Sequence, residues 1–375
     1  MNRHPDFPLQ DDLIYMNHAA ISPWPVGTAE AIKDFVNENL HSGSSHYLQW
    51  IETETSLRER LKTLINAESK DDIALLKNTS EGLSVIAYGL DFQQGDNIVI
   101  AADEFPSNRV VWQSLQNQGV HTREVNIHIP SDPEQALIDA CDDNTRLISV
   151  SAVHYSSGLR LDLVKMGRLC QQRDILLVVD AIQQLGALKF DQQAIQADFI
   201  VADGHKWMMA PEGLALFYCK PELREHLKLN QYGWHMIKNP SDFTQHQWEV
   251  VDTAQRFECG SPNMIGCMAL HASLGFIEQT GMDVIERAIL DHTRLIRDYI
   301  INSGSYSLSY DLTQNQLSGI TNFKHQGISN EDLFKKLTDE RVQCAMRGAG
   351  IRLSPHFYHQ PWEFERLFEI LDKLA

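Results

Sequence analysis

The feature of this 375-residue chain that most limits its fold is a series of short apolar runs separated by helical segments. The runs lie at 72–76, 97–102, 147–153, 175–179, 198–202 and 214–219. Runs without polar alternation are typical of strands buried on both faces, as in parallel sheets covered by helices. Helices are expected between them at 80–89, 108–118 and 163–173. The pattern therefore predicts an α/β fold with a mostly parallel central sheet flanked by helices.

A different pattern begins near Met264, where one long helical stretch replaces the alternation of strands and helices. It runs to Ile296 and is followed by strand-like segments and a last helix from Pro361. These elements predict a smaller α+β C-terminal domain. The expected division is an N-terminal arm at 1–15 that packs with the small domain, a large domain at 16–263 that contains the central sheet, and a small domain at 264–375.

Composition excludes several classes of function. The formal net charge of −18 argues against nucleic-acid binding and against a basic membrane-binding surface. The six cysteines form no CxxC pair or zinc-like cluster, so no metal is expected. The first residues lack the apolar core of a signal peptide, and no run approaches the length of a membrane span. The sequence predicts a cytoplasmic protein with free thiols.

Two of the apolar runs end in residues that suit covalent chemistry. The run at 175–179 leads into Asp180, and the run at 198–202 leads into a segment that ends at Lys206. Ligands bind at the carboxyl ends of parallel strands, where these side chains are expected to meet. A lysine amine forms a Schiff base with pyridoxal 5′-phosphate (PLP), and a carboxylate keeps the pyridine nitrogen of this cofactor protonated. The pair indicates a PLP enzyme, although each residue alone also fits a surface lysine or a turn aspartate. The large domain at 16–263 is therefore predicted to be the PLP-binding domain.

The phosphate of PLP needs an anion site, and the turn after the run at 72–76 supplies one. Backbone N–H groups at the start of a helix and the hydroxyls of Thr79 and Ser80 suit a bound phosphate. The alternative is a plain helix N-cap with Glu81 nearby. His205 and Ser261 are further candidates for phosphate contacts.

Seven short segments in a fixed order carry a family resemblance. They include Asn-Thr-Ser-Glu-Gly at 78–82 and Asp-Gly-His-Lys-Trp at 203–207, and the others lie at 15–20, 104–108, 179–183, 256–263 and 352–354. Together they resemble the class V aminotransferases, the group of fold-type I PLP enzymes that contains cysteine desulfurases, kynureninases and isopenicillin N epimerase-like proteins. The Gly-His-Lys-Trp variant, followed by Ala-Pro-Glu-Gly at 210–213, most resembles the epimerase-like branch.

The resemblance implies cofactor contacts for particular residues. Lys206 is expected to hold PLP and later to move the substrate proton, while Asp180 contacts the pyridine nitrogen and Gln183 the ring hydroxyl. The other expected contacts are the phosphate ligands Thr79, Ser80 and His205, the ring-stacking Phe105, and Ser261, which reaches the cofactor of a second subunit. Family dimers build each site across the interface, so a homodimer is expected. The alternative for Phe105 is a core phenylalanine.

The resemblance also implies a small amino-acid substrate. Arg352 falls where the family's substrate-carboxylate arginine lies, and a guanidinium fork suits a carboxylate. Arg347 is a rival for this role, and a structural surface arginine is the alternative. Asn17 and His18 are expected to face the substrate near the edge of the small domain, with an ordinary loop role as their alternative.

Several residues depart from the pattern of the cysteine desulfurases. The segment at 347–352 contains no cysteine where those enzymes place a nucleophile, and Cys344 lies upstream in a strand-like stretch. Ser157 stands where desulfurases have an asparagine near the ring hydroxyl. Asp203 replaces a phosphate-binding serine and is therefore expected to point away or to cap the turn. His235 replaces an arginine found in many epimerase-like relatives.

These features predict a PLP enzyme that removes a proton from Cα of a small amino acid. Transamination and lyase chemistry are ranked first, epimerisation second and cysteine desulfuration last, because an accessible thiolate is not evident. A regulatory protein that keeps the fold is the non-enzyme alternative, although such a protein has no need of Lys206. An NAD-type enzyme is disfavoured because no GxGxxG motif follows the first strands.

Overall fold

The computed structural model describes residues 2–242, 244 and 246–374. Its strands are β1 Ile14–Tyr15, β2 Ile73–Leu76, β3 Asn97–Ala101, β4 His121–Val125, β5 Thr145–Ser151, β6 Leu176–Asp180, β7 Phe199–Asp203, β8 Ala215–Cys219, β9 Tyr306–Leu308, β10 Thr321–His325, β11 Val342–Gln343, β12 Ala345–Arg347 and β13 Gly350–Leu353. Its α-helices are α1 Val26–Ser42, α2 Tyr47–Ile65, α3 Thr79–Gly89, α4 Ser107–Gln113, α5 Pro133–Asp139, α6 Leu163–Gln172, α7 Gln192–Ile195, α8 Met264–Thr280, α9 Met282–Asn302, α10 Asn330–Asp339 and α11 Pro361–Leu374.

The central sheet has seven strands in the order β2-β8-β7-β6-β5-β3-β4. Strands β4, β3, β5, β6 and β7 run parallel, whereas β8 is antiparallel to both β7 and β2. Hydrophobic clusters fill both faces of the sheet, which explains why its strands are continuous apolar runs. The predicted α/β class and the mostly parallel sheet flanked by helices are confirmed.

Neighbouring strands β6 and β7 place the two key acids at one edge of the sheet. Asp180 ends β6 and pairs in register with Val201, two residues before the end of β7 at Asp203. The short turn after β7 then carries Lys206 back over this edge. Because the carboxyl ends of parallel strands meet here, the sequence order alone brings Asp180 and Lys206 together.

Helix α3 starts at the same edge and directs its N-terminus toward it. Asn78 caps the helix, since its side chain accepts a hydrogen bond from the backbone N–H of Glu81. Asp203 also donates its backbone N–H to Thr79 Oγ1 over 3.2 Å, which joins the first turn of α3 to the end of β7. The first turn of α3 is thus fixed beside the lysine loop.

The C-terminal part forms a separate antiparallel sheet in the order β12-β13-β10-β9, packed with its own hydrophobic cluster. Near the N-terminus, β1 pairs in parallel with β11 of this part, with Ile14 opposite Val342. The arm thus contacts the C-terminal part, while the exact domain limits stay a prediction. No helix in the described ranges is both long enough and apolar enough to cross a membrane.

Three details differ from the sequence-based expectations. The long helix from Met264 is in fact two helices, because the chain breaks at Gly281, whose φ of +84° lies in the left-handed region that favours glycine. The α-helix expected at 108–118 ends at Gln113 and continues as a 3₁₀-helix. Helices α1 and α2 and strand β4 were not predicted, since their faces are largely exposed and lack a clear apolar pattern.

Candidate active site

A cavity of about 610 Å³ opens at the carboxyl edge of the central sheet. Eight of the eleven predicted site residues line it, namely Thr79, Ser80, Phe105, Asp180, Gln183, His205, Lys206 and Arg352. Charged and polar side chains that line the same space include Lys77, Tyr155, Asp203 and Arg347. The structure therefore gathers most of the predicted cofactor residues and the candidate substrate arginine around one space.

Lys206 lies in the floor of the cavity with only 8% of its surface exposed. Burial lowers the pKa of its amine, and the nearby Asp180 carboxylate opposes part of that effect. A lowered pKa increases the neutral fraction of the amine, which is the form that acts as a nucleophile or a base. The Nζ atom is 5.5 Å from the centre of the Phe105 ring, so the amine and the aromatic face border the same space.

Asp180 is a buried carboxylate that faces the cavity. One oxygen, Oδ1, accepts the backbone N–H of Ile182 over 3.1 Å. Burial raises the pKa of this carboxyl group, so its ionised form requires a positive partner. The protonated ring nitrogen of PLP is a partner of this kind, and the arrangement therefore fits the pyridine end of the cofactor.

Gln183 presents its amide to the cavity in a single orientation. Its Oε1 accepts the indole N–H of Trp207 over 2.9 Å, and its Nε2 donates to the carbonyl of Ala19 over 2.9 Å. An indole nitrogen can only donate, which fixes the assignment of the amide oxygen and nitrogen. The second hydrogen of Nε2 is then free to donate to an oxygen such as the ring hydroxyl.

The start of α3 fits the phosphate end. Thr79 Oγ1 already accepts the backbone N–H of Asp203, so its own hydrogen can be donated to an anion. Ser80 is exposed to the cavity and donates to Ser107 Oγ over 2.8 Å, leaving its oxygen and the backbone N–H groups of the first turn nearby. His205 faces the same end, with 15% of its side chain exposed.

Phe105 lines the cavity and is not a core residue, because 40% of its surface is exposed. Its ring contacts the ring of Tyr155 edge to face, with centroids 5.4 Å apart. One face therefore stays available at the cavity. This placement is the one that a ring-stacking residue needs.

Arg352 is a buried guanidinium without an acidic partner in the part of the chain that the structure describes. Its Nη1 donates to the carbonyl of Tyr155 over 2.7 Å, its Nη2 lies 3.4 Å from Asn17 Oδ1, and its buried Nε has no partner. Burial and the nearby Arg347 lower the pKa of Arg352 to about 9. A carboxylate bound here would offset both effects, so the site suits the carboxylate of an amino acid.

We expect Arg352→Ala to weaken binding of the amino-acid substrate about ten- to hundredfold, because a charge-assisted contact contributes about 1.5–3 kcal/mol. Spectral titration of the PLP-loaded enzyme with substrate would measure this change, and cofactor content should stay constant. Arg347→Gln is the matched control at the exposed mouth of the same cavity. A larger loss from Arg347→Gln than from Arg352→Ala would transfer the role to Arg347.

Three predicted residues lie outside the cavity. His18 is fully buried, with Nδ1 donating to the carbonyl of Ser354 and Nε2 accepting from the Tyr358 hydroxyl, so it faces no substrate here. Asn17 is not in the cavity lining, but its Oδ1 lies 3.4 Å from Arg352 Nη2. Ser261 lines a neighbouring cavity that shares Lys77 and Gly213 with the main one. Its contact with a second subunit's cofactor stays a prediction.

Of two residues that follow β5, the structure places Tyr155 in the cavity lining and leaves Ser157 outside it. Ser157 is buried away from the cavity and bonds to His154 Nδ1 over 3.0 Å. Tyr155 lines the cavity instead and holds Arg352 through its backbone carbonyl. Its position just after a buried strand, at the edge where ligands bind, was the available signal. Nothing in the sequence marked Trp207 as the partner of Gln183.

The structure also places Asp203 and His235, the other two residues that differ from the family pattern. Asp203 does not point away, because it lines the cavity and its Oδ1 lies 2.9 Å from His205 Nδ1. His235 is buried, with its Nδ1 3.6 Å from Glu258 Oε2, and it does not reach the cavity. His235 is therefore not among the described residues that could contact the substrate in this cavity.

The cysteines are poorly placed for nucleophilic chemistry. Cys344 is buried, and burial raises the pKa of its thiol to about 12. Cys141, Cys170, Cys219 and Cys267 are also buried, and only Cys259 is partly exposed. Cys259 lines the neighbouring cavity rather than the one that contains Lys206. No cysteine is among the described residues that line the main cavity.

Comparison with known proteins agrees with this geometry. The family model described as aminotransferase class-V matches residues 14–360, nearly the whole chain. A probable cysteine desulfurase from Methanothermobacter thermautotrophicus is 28% identical, over 99% of this chain and 96% of its own length. The sequence-based resemblance is therefore confirmed.

Solved structures share the fold at low sequence identity. A mutant of the protein C-DES with glycine covalently linked to its PLP cofactor has a TM-score of 0.91 and 19% identity, and 99% of each chain is covered. The cystine C–S lyase C-DES in complex with its reaction product, cysteine persulfide, has a TM-score of 0.89 and 20% identity, with 98% of this chain and 99% of the other covered. These likenesses establish the fold-type I architecture. The family match, together with a cavity whose residues suit PLP, shows that the chain belongs to the class V aminotransferases and is a PLP-dependent enzyme.

Proposed function

We propose that the chain is a carbon–sulfur lyase that acts on a small cysteine-derived amino acid and uses no protein thiol. The observation that carries the proposal is the cavity around Lys206. Its described lining contains a buried arginine without an acidic partner, which suits a carboxylate, and no cysteine. The names of its relatives, cysteine desulfurase and cystine C–S lyase, support cleavage of a bond to sulfur. Elimination needs only a base, an electron sink and a leaving group.

The residues of the chain divide the work of this reaction. PLP, when bound, supplies the electron sink for a negative charge that develops at Cα. Arg352 binds the substrate carboxylate, and this contact orients the Cα–H bond toward Lys206. The neutral amine of Lys206 accepts the Cα proton, and the sulfur substituent leaves Cβ with the bonding electrons. Asp180 stays ionised and keeps the ring nitrogen protonated during this step.

The proposal changes the order of reactions that the sequence suggested. Desulfuration was ranked last, yet the probable cysteine desulfurase among the relatives favours chemistry at sulfur over transamination or epimerisation. A protein persulfide is still disfavoured, because Cys344 is buried and burial raises the pKa of its thiol to about 12. Cleavage of a carbon–sulfur bond by elimination satisfies both observations.

The second candidate is a desulfurase in which a protein cysteine receives the sulfur. The names of the relatives favour it. A mobile nucleophile is harder to accommodate, because β12 and β13 are joined by a tight hairpin with Arg347 opposite Gly350. Gly348 in that hairpin has φ of +56°, a conformation that other residues rarely adopt, so the turn is closely specified.

We expect a variant with all six cysteines replaced by serine or alanine to keep its Cα chemistry within a fewfold of the parent. The reason is that no thiol of the described cavity lining takes part in elimination. Keto-acid release from cystine and from S-alkylcysteines would be measured side by side with sulfide release from cysteine. Cys170→Ala is the matched control for folding, since it also removes a buried thiol, whereas Cys344→Ala tests the one cysteine near the hairpin. Loss of sulfur release that follows Cys344 specifically would favour the second candidate.

A homodimer and a cytoplasmic location belong to the same proposal. The dimer is supported by Ser261, which lies in a cavity wall beside the phosphate end rather than within it. Ser261→Ala should then weaken PLP retention in the dimer. In a hybrid dimer of one Ser261→Ala chain and one Lys206→Ala chain, each site takes Lys206 from one chain and Ser261 from the other. One site then has both native residues, and the other site lacks both. If mixing the two variant chains does not restore PLP retention at one site of the hybrid dimer, the proposal that the two subunits share each site is wrong.

A further inference from the structure

The carboxylate of Asp203 stands at the phosphate end of the cavity, where a negative charge is unexpected. Its backbone N–H is bound to Thr79 Oγ1, and the residue is 5% exposed. Pairing of β7 with β8 places Asp203 opposite Ala215 and fixes its position further. The backbone of Asp203 is therefore fixed beside the first turn of α3, which is the proposed phosphate site.

The contact between Asp203 and His205 resolves this conflict of charge. Asp203 Oδ1 lies 2.9 Å from His205 Nδ1, and neither atom has a hydrogen-bond partner within the described residues. Both atoms are buried, and an unsatisfied buried polar atom is costly. A small rotation of the imidazole about its Cβ–Cγ bond would align them, with Nδ1–H donating to the carboxylate.

We propose that Asp203 is a positioning residue that keeps His205 doubly protonated, so that Nε2–H can donate to the phosphate of PLP. A neutral imidazole with its hydrogen on Nδ1 would offer the phosphate only a lone pair at Nε2. The carboxylate on one side and the phosphate on the other both favour the imidazolium form. The pair replaces the direct hydroxyl contact that a serine at position 203 would make. The inference rests on the proposed phosphate role of His205.

Other charged side chains line the same cavity as Asp203 and His205. They are Lys77, Asp180, Lys206, Glu212, Arg347 and Arg352. Lys77 and Glu212 are exposed residues of this lining and carry opposite charges. The cations Lys206 and Arg352 belong to the amine and carboxylate sites described above. Asp203 remains as the acid in direct contact with the His205 ring.

A double-mutant cycle tests the proposal, because the effect of Asp203→Asn on PLP affinity should have opposite signs with and without His205. Asp203→Asn should weaken PLP binding by roughly tenfold near pH 8, because the imidazolium form loses its anion. In the His205→Gln background the same substitution should strengthen PLP binding, because the carboxylate then only repels the phosphate. Dissociation constants are measured on the apo-protein by absorbance or fluorescence, so turnover is not required.

Binding of pyridoxal, which lacks the phosphate, separates the proposed role from a general loss of structure. Asp203→Asn should leave pyridoxal affinity unchanged within about twofold, whereas a misfolded variant would lose both ligands. Equal effects of Asp203→Asn in both backgrounds, or tighter PLP binding by Asp203→Asn alone, would overturn the inference. If His205→Gln instead fails to alter PLP affinity relative to pyridoxal affinity, the phosphate role of His205 itself is wrong.

Discussion

Lys206→Ala is expected to lower turnover on the order of a thousandfold or more, because the same amine binds PLP covalently and removes the Cα proton. The amine lies buried in the cavity floor, 5.5 Å from the centre of the Phe105 ring. Borohydride treatment of the parent protein should fix a pyridoxyl group on the peptide that contains Lys206. The variant should give no such adduct, while its circular dichroism and melting temperature stay close to those of the parent.

Lys77→Ala is the matched control, since Lys77 also lines the cavity but stands at the exposed phosphate end. This variant should keep the borohydride-stable adduct on Lys206. An adduct on Lys77 in the parent protein, or full turnover by Lys206→Ala, would contradict the assignment of the amine.

Asp180→Asn is expected to keep PLP bound and to reduce turnover about a hundredfold or more. Removing one partner of a buried ion pair costs about 3–5 kcal/mol, and here the unpaired charge would be that of the ring nitrogen. The ring would then lose its proton and accept negative charge from Cα less readily. Single-turnover kinetics with a saturating substrate, together with the absorption spectrum of the bound cofactor, would report the two effects separately.

Asp198→Asn serves as the comparison, because it replaces a half-buried carboxylate at the opposite end of β7. Its side chain accepts the backbone N–H of Leu177 over 2.8 Å and lies far along the strand from Asp203. An amide at 198 can keep that hydrogen bond, so turnover should change little. The account of Asp180 fails if Asp180→Asn retains most of the parent rate.

The sequence predicts the central sheet well, because strands that are buried on both faces appear as continuous apolar runs, which can be recognised without knowing how the strands pair. The cofactor residues followed from it, since Asp180 and Lys206 both come directly after such strands. Less could be predicted where packing against other elements decides. Helices α1 and α2 have largely exposed faces and weak periodicity, and the break between α8 and α9 depends on one left-handed glycine at Gly281.

The substrate side was harder to predict because it is assembled from distant parts of the chain. Arg352 donates to the backbone carbonyl of Tyr155, 197 residues away in sequence. Every residue has such a carbonyl, so this contact cannot be recognised from the residue type. His18 was expected at the substrate, but hydrogen bonds to Ser354 and Tyr358 use both ring nitrogens. The position of Asp203 beside His205 likewise depends on side-chain geometry, which the motif alone does not give.

The most direct test of the proposed function is to identify both products and the protein mass after reaction of the PLP-loaded enzyme with L-cystine and L-cysteine. Elimination predicts pyruvate, ammonia and a sulfur product in solution, with the protein mass unchanged and the cysteine-free variant still active. Alanine as the organic product, together with an added sulfur atom on a protein cysteine, would contradict the account and establish a persulfide desulfurase.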